Sequence, residues 1–183
     1  MQYFMTFDSP IGKLFLSSDG EAVTGLYMDV PNSPLAGSAG SSRQAVPSPL
    51  AAAAVQLAEY FAGERRAFAL PLSLAGTPFQ REVWRALTEI PYGETVSYGE
   101  LARRIGNPRG QRAVGLANNR NPVSIIVPCH RVIGADGSMT GYGGGLERKR
   151  WLLAHEGMPQ TKDGFESRAT WHPKEIPNAA AKA

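Results

Sequence analysis

The segment Pro128-Cys-His-Arg-Val132 places a thiol, an imidazole and a guanidinium on three successive residues. A thiol attacks carbon as its thiolate, and nearby positive charge lowers its pKa, so this neighbourhood favours a reactive Cys129. The competing reading is a small, inert core side chain, the usual fate of a lone cysteine. The chain has 1 cysteine. No internal disulfide, resolving thiol or multi-thiolate zinc site can therefore form. If the chain is extended here, neighbouring side chains project to opposite sides, and proton transfer from Cys129 to His130 calls for a bridging water.

Around this group the charge is one-signed. Leu101 to Ala135 holds Arg103, Arg104, Arg109, Arg112, Arg120 and Arg131 and no acidic residue. Such an excess suits a polyanion and makes nucleic acid the leading partner, against the alternative of a basic surface balanced by distant acids. The net charge of +3 divides as −2 over residues 1–75, +4 over 76–157 and +1 over 158–183. Hydrophobic residues at 43% and charged residues at 19% suit a folded chain. No apolar run reaches the roughly 20 residues of a bilayer span. Met1 to Pro10 lacks the pattern of a signal peptide, which leads to a cytoplasmic expectation, or a nuclear one in a eukaryote.

The elements that must position these residues fall into two groups, an α/β (α+β) organisation with domains at 1–72 and 73–157. In the first, alternation predicts strands at Tyr3–Phe7, Lys13–Ser18 and Ala22–Met28, a small antiparallel sheet. Residues 31–47 are rich in Ser, Gly, Ala and Pro and read as a loop. A helix follows with Ser48 as N-cap, Pro49 at its first position and Leu50, Ala54, Leu57 and Phe61 on one face. The second group opens with Thr77-Pro-Phe-Gln80, a capping-box pattern, ahead of Phe79, Val83, Trp84 and Leu87. A second such pattern, Ser97-Tyr-Gly-Glu100, starts a short helix that breaks at Gly106, and Asn107-Pro108 restarts one running to Asn118. This is the form of a helix-turn-helix in a mainly helical domain, and the small residues Gly110, Ala113, Gly115 and Ala117 let its second helix lie close to another surface. Val123–Val127 reads as a buried strand delivering Cys129, residues 135–145 as a glycine loop, Leu146–Glu156 as a helix, and 158–183 as a loose tail.

Three stretches, Asn121-Pro-Val-Ser-Ile-Ile-Val-Pro-Cys-His-Arg-Val132, Gly141-Tyr-Gly-Gly-Gly-Leu146 and Trp151-Leu-Leu-Ala-His-Glu-Gly157, resemble the O6-alkylguanine-DNA alkyltransferases, also called methylated-DNA-protein-cysteine methyltransferases. The likeness runs from about Thr77 to Gly157 and includes Val96-Ser-Tyr98 and Arg112-Ala-Val-Gly115. The N-terminal part matches in general form, which implies a ribonuclease-H-like sheet with a helix.

The resemblance implies DNA repair by irreversible, stoichiometric transfer of the alkyl group of O6-alkylguanine, and of O4-alkylthymine, to Cys129. His130 would act as base through a water, Glu156 would orient its imidazole, and Asn121 would tie the active-site strand to the helix-turn-helix. Tyr98 would donate to the leaving purine, with Val132, Tyr142, Gly143 and Ser124 around the pocket. Some relatives carry proline at the position of Ser124 and serine at that of Gly143, and the run Gly143-Gly-Gly145 argues for room beyond a methyl group. The lesion would be rotated out of the duplex, with Arg112 filling the gap. Gly110, Ala113 and Gly115 would lie in the minor groove and Gln80, Gly99 and Asn107 against the DNA backbone. Neither cofactor nor metal is implied, and the partner is double-stranded DNA bound by a monomer, with cooperative binding left open.

Three other readings compete. A zinc deaminase fails because position 132 is valine and no His-x-Glu precedes it. A lesion-recognition module requires an unreactive thiol, and a cysteine hydrolase requires turnover.

Overall fold

The computed structural model describes residues 1–28, 47–162, 164 and 165. Strands β1 (Tyr3–Ser9), β2 (Gly12–Ser18) and β3 (Val23–Tyr27) form an antiparallel sheet in the order β1-β2-β3. Tyr3 faces Ser18 and Leu16 faces Leu26. The alternation read from the sequence holds on β1, where inward and outward residues take turns, whereas β2 is buried on both sides near its end. The predicted 31–47 loop lies almost wholly outside the described residues.

Helix α1 (Ser48–Phe61) covers this sheet. Pro47 occupies the cap position and makes no side-chain cap bond, so Ser48 is a helical residue and not the N-cap. The buried stripe is Leu50, Ala53, Leu57 and Tyr60, which displaces Ala54 and Phe61 from the predicted face. A period of 3.6 allows either stripe, and the sheet selects the one that carries Tyr60 inward.

The sheet continues into the second half of the chain. Val23 N donates to Pro71 O (2.9 Å) and Leu26 N donates to Pro122 O (2.8 Å), so β3 pairs with both the connection and the segment leading to Cys129. One apolar cluster runs from Leu14 and Leu57 through Trp84 and Leu101 to Val127 and Cys129.

Helix α2 (Pro78–Thr88) carries the predicted capping box: Thr77 Oγ1 accepts from Gln80 N (3.2 Å) and Gln80 Oε1 accepts from Thr77 N (2.9 Å). Its Trp84 donates through Nε1 to Ala117 O at 2.9 Å. Strand β4 (Val96–Ser97) leads into α3 (Tyr98–Arg104), where Ser97 Oγ accepts from Glu100 N (3.1 Å). Glu100 turns to Arg104 at 2.7 Å, so this capping box is only half made. After Gly106, whose φ of +71° suits glycine, residues 107–110 form a turn closed by Gly110 N to Asn107 O (2.8 Å). Helix α4 (Gln111–Asn119) therefore starts after the predicted restart at Pro108, leaving Arg109 and Gly110 in the turn.

The predicted strand at 123–127 is a folded loop. Ile126 N donates to Ser124 O (2.9 Å) across Ile125, whose φ is +71°, a tight γ-turn. Cys129 N donates to Val127 O (2.8 Å) across Pro128, whose φ of −81° and ψ of 64° make the inverse γ-turn. A single 3₁₀ turn, Cys129–Arg131, then passes into β5 (Val132–Ile133), parallel to β4. Helix α5 (Leu146–His155) closes the described core. Met158 and Phe165, read from sequence as part of a loose tail, are buried beside Ile133 and Leu153.

Candidate active site around Cys129

The short 3₁₀ turn corrects the extended geometry expected for Cys129 and His130, because successive residues there are about a third of a turn apart and need not face opposite ways. Cys129 is 3% exposed. Burial pushes its thiol above the usual range, while Asn121, Ser124 and the charge of Lys149 pull it down, so the expectation of a pKa lowered by neighbouring arginines is overturned. The reason is visible in Arg131, whose guanidinium turns away to Glu156 and to Ile90 O.

Glu156 is the hub of the site. Oε1 accepts from Tyr60 Oη (2.8 Å) and Arg131 Nη2 (2.9 Å) and pairs with His130 Nε2 (2.8 Å). Its Oε2 accepts from Arg131 Nε (2.8 Å) and Gly93 N (3.3 Å). Burial opposes the charged carboxylate, yet His130 and Arg131 hold it well below the usual carboxylate range. For His130, burial outweighs the pull of Glu156 and lowers the imidazole pKa. The ring is thus neutral at pH 7, with its proton on the nitrogen that faces the carboxylate. Nδ1 is left as a buried acceptor without a partner among the described residues.

Asn121 pins the loop. Its Nδ2 donates to Val127 O (2.7 Å), its Oδ1 accepts from Val123 N (3.1 Å), and its backbone N donates to Asn118 O (3.2 Å) in α4. Asn121, Ser124 and Tyr142 also make side-chain contact with the thiol. Tyr98 Oη donates to Thr140 O (3.3 Å) and Gly141 O (3.5 Å), and burial keeps its phenol protonated. Val132 lies in the core with its carbonyl turned to Lys149. A Cβ on Gly143 would meet Asn119 Oδ1 at 3.3 Å, so this glycine lets the loop approach α4.

Lys149 escaped the sequence reading. It is 0% exposed, and Nζ donates to Val132 O (2.6 Å) and Thr140 O (3.2 Å), which ties the start of β5 to the glycine loop. Burial pushes its pKa down to about 8. The signal was available: Lys149, Leu152, Leu153 and Glu156 share the spacing of a buried helical stripe, and charge in two of those four places marks a polar interior. Tyr60 gave no such signal, since its partner lies 96 residues away.

The basic surface is smaller than the arginine count implied. Arg103, Arg109, Arg112 and Arg120 are exposed, whereas Arg131 is buried on Glu156 and Arg104 pairs with Glu100. Arg112, Ala113, Leu116 and Arg120 share the exposed face of α4. The glycines face protein. A Cβ on Gly110 would strike Asn107, and one on Gly115 would touch the Tyr98 ring at 3.7 Å. Gly99 is buried beneath Gln111, so at that point the exposed residue is Gln111 and not the predicted Gly99. Gln80 spends its Oε1 on the α2 cap.

No helix among the described residues is long and apolar enough to cross a membrane, and they hold no cluster of three or more metal-ligating side chains. Two family models match the chain: the ribonuclease-like domain of 6-O-methylguanine DNA methyltransferase over residues 2–74 and the DNA binding domain of the same family over 78–158. A methylated-DNA–protein-cysteine methyltransferase from Methanosarcina acetivorans is 50% identical over 162 residues, 85% of this chain and 98% of that protein. The like-named protein of Mycobacterium tuberculosis (strain H37Rv) is 52% identical over 159 residues, covering 85% and 93%. The crystal structure of M. tuberculosis O6-methylguanine methyltransferase superposes with a TM-score of 0.73 over 85% of this chain and 93% of that one, and a complex of the M. tuberculosis protein with DNA gives 0.72 over 84% and 91%, both at 52% identity. With both of its halves matched in this way, the chain belongs to the 6-O-methylguanine DNA methyltransferase family.

Proposed function

We propose that this protein repairs DNA by moving the alkyl group of O6-alkylguanine onto Cys129, one group per molecule. The observation that carries the reading is the buried row Cys129, His130, Glu156, in which one imidazole nitrogen meets a carboxylate at 2.8 Å and the other stands open as an acceptor. That is the nucleophile, base and orienter arrangement.

The thiol proton passes through a water to His130 Nδ1. The sulfur then forms a bond to the alkyl carbon as the bond from that carbon to guanine O6 breaks, and the electron pair leaves on the purine. Tyr98 donates a hydrogen bond to the purine as it departs, and the proton held by the imidazole returns to it, so thiol plus alkylguanine becomes thioether plus guanine. Asn121, Ser124 and Tyr142 hold the sulfur, and Gly143 and Val132 shape the wall. A thioether resists hydrolysis and no second thiol exists to resolve it, which makes the reaction single-turnover.

Arg112 fills the gap left by the rotated nucleotide. Ala113, on the exposed face of α4, lies toward the minor groove, while Gly110 and Gly115 let the turn and Tyr98 pack close behind that face, with Asn107 and Gln80 along the strand. O4-alkylthymine is a lesser substrate, and the protein acts as a monomer on duplex DNA in the cytoplasm, or in the nucleus of a eukaryote. We divide the chain at 72/73, where the connection leaves β3 for α2.

The test is intact mass after incubation with an oligonucleotide containing one O6-methylguanine. One methylene mass per chain, saturating at one equivalent and absent from Cys129→Ala, is expected. Tight binding without mass gain would identify a lesion-recognition module instead.

A further inference from the structure

Side chains from three distant parts of the chain meet at one hydroxyl. Tyr142 Oη donates to Met28 Sδ at 3.7 Å, and the same phenol touches the Cys129 thiol. Met28 follows β3 directly and is 5% exposed, so a residue of the N-terminal half reaches the glycine loop beside the nucleophile. Gly144 makes the room: a Cβ there would strike Met28 Sδ and stand 2.9 Å from the Tyr142 ring. Arg148 ties that glycine to the turn between β1 and β2, donating from Nη1 to Gly144 O and from Nε to Ile11 O, both at 3.0 Å. Burial keeps the phenol protonated.

A phenol has one hydrogen to give. While Cys129 is a thiol, a thioether holds that hydrogen in fair competition, because both sulfurs are weak acceptors. A thiolate changes the comparison, since a hydrogen bond to an ionised acceptor is about twice as strong as one between neutral groups. We infer that Met28 is a positioning residue for the alkyl acceptor: its sulfur holds the Tyr142 hydroxyl beside Cys129 until the thiolate forms, and the hydrogen then turns from Met28 Sδ to Cys129 Sγ. A thioether suits the task because it orients the donor without competing with the charged sulfur. The turn makes and breaks no covalent bond, and the thiol proton still leaves toward His130. The other titratable groups felt by the sulfur are Lys149 from α5 and Tyr98 from α3, and both stay in place in the variants below. This inference rests on the proposed transfer, in which the thiolate is the reacting form.

The test reads the thiol without DNA. Because the chain has 1 cysteine, iodoacetamide labelling followed by intact mass across pH gives the midpoint of Cys129 alone. Met28→Leu keeps the volume and removes the acceptor, so the freed hydroxyl is expected to lower the midpoint, with about threefold more thiolate at a given pH. Met28→Gln offers a stronger acceptor and is expected to raise the midpoint and slow methyl transfer from an O6-methylguanine oligonucleotide, each by about the same factor. Both midpoint shifts should vanish in the Tyr142→Phe background, which has no hydrogen to place. A labelling rate changed equally at every pH, with the midpoint unmoved, would make Met28 a packing residue and overturn the inference, as would shifts that persist in Tyr142→Phe. If the glutamine variant does not fold, Met28→Leu with and without Tyr142→Phe decides alone. Absence of any mass gain from the methylated oligonucleotide in the wild type would overturn the transfer reaction itself, whereas the titration judges Met28 separately.

Discussion

At the scale of single residues, the site stores its nucleophile as a thiol. Burial raises the Cys129 pKa and lowers that of His130, so at neutral pH both are uncharged, and in the proposed mechanism the pair ionises only when the reaction draws the proton across. The transfer rate is therefore expected to stay level across neutral pH and to fall only below the ordinary imidazole range, about 6.5. An acid limb centred above that value would assign the base elsewhere. Stability follows the same sign. His130 is lowered in the fold, so its contribution is complete above about 6.5 and fades as pH falls toward the folded value. Glu156 adds a further loss below about 4.3. Glu156→Gln removes the carboxylate partner of both His130 and Arg131, and a drop of about 10²-fold or more in transfer rate is expected from single-turnover kinetics. The Cys-His pair was legible because it lies in five contiguous residues. The direction of the thiol shift was not, since Arg131 is adjacent in sequence but committed to Glu156 in space.

At the scale of elements, the apolar run 123–127 read as a strand, because apolar content reports burial and not backbone direction. The loop that forms instead holds Ile125 at φ +71°, a conformation β-branched residues rarely adopt. Replacing it separates two effects. Ile125→Ala loses buried volume, worth about 2–5 kcal/mol. Ile125→Gly loses slightly more volume but relieves about 1–3 kcal/mol of backbone strain at this positive φ. The usual order, alanine above glycine, should vanish or reverse in urea unfolding; glycine less stable by a full kcal/mol would show that Ile125 is unstrained. Helix α4 supports a second prediction. Leu116 is 53% exposed between Arg112 and Arg120 on one face. Leu116→Ala is expected to leave stability within about 0.5 kcal/mol and to weaken duplex binding without changing its salt slope, since no phosphate charge is lost. A changed slope in fluorescence anisotropy at several salt concentrations would refute that role. The late start of α4 was illegible for a local reason: Asn107-Pro108 looks like a helix opening, but the bond from Gly110 N to Asn107 O spends those residues on a turn.

At the scale of the whole molecule, the strands of the first half were readable from alternation and turns, while its purpose was not. Tyr60 reaches Glu156 across 96 residues, and β3 supplies the edge on which Val123 docks. The sheet is thus a brace for the catalytic loop. Tyr60→Phe leaves the ring packing in place and deletes one bond to a buried carboxylate, a loss of about 1.5–3 kcal/mol by urea unfolding. The transfer rate should fall with it; an unchanged rate and midpoint would mean that Arg131 and Gly93 satisfy Glu156 unaided.

The same long span has a consequence during synthesis. A chain emerging from the ribosome N-terminus first has its sheet, Tyr60 and even Cys129 in hand before residue 156 exists. Until the last turn of α5 arrives, the imidazole has no carboxylate to fix its tautomer, Arg131 has no counter-charge, and the phenol of Tyr60 has no acceptor there. Nascent and truncated chains carry the thiol without the complete His130–Glu156 pair proposed to take its proton. On the proposed mechanism, a reagent that can be used once is armed only when helix α5 and its cap residue Glu156 are complete.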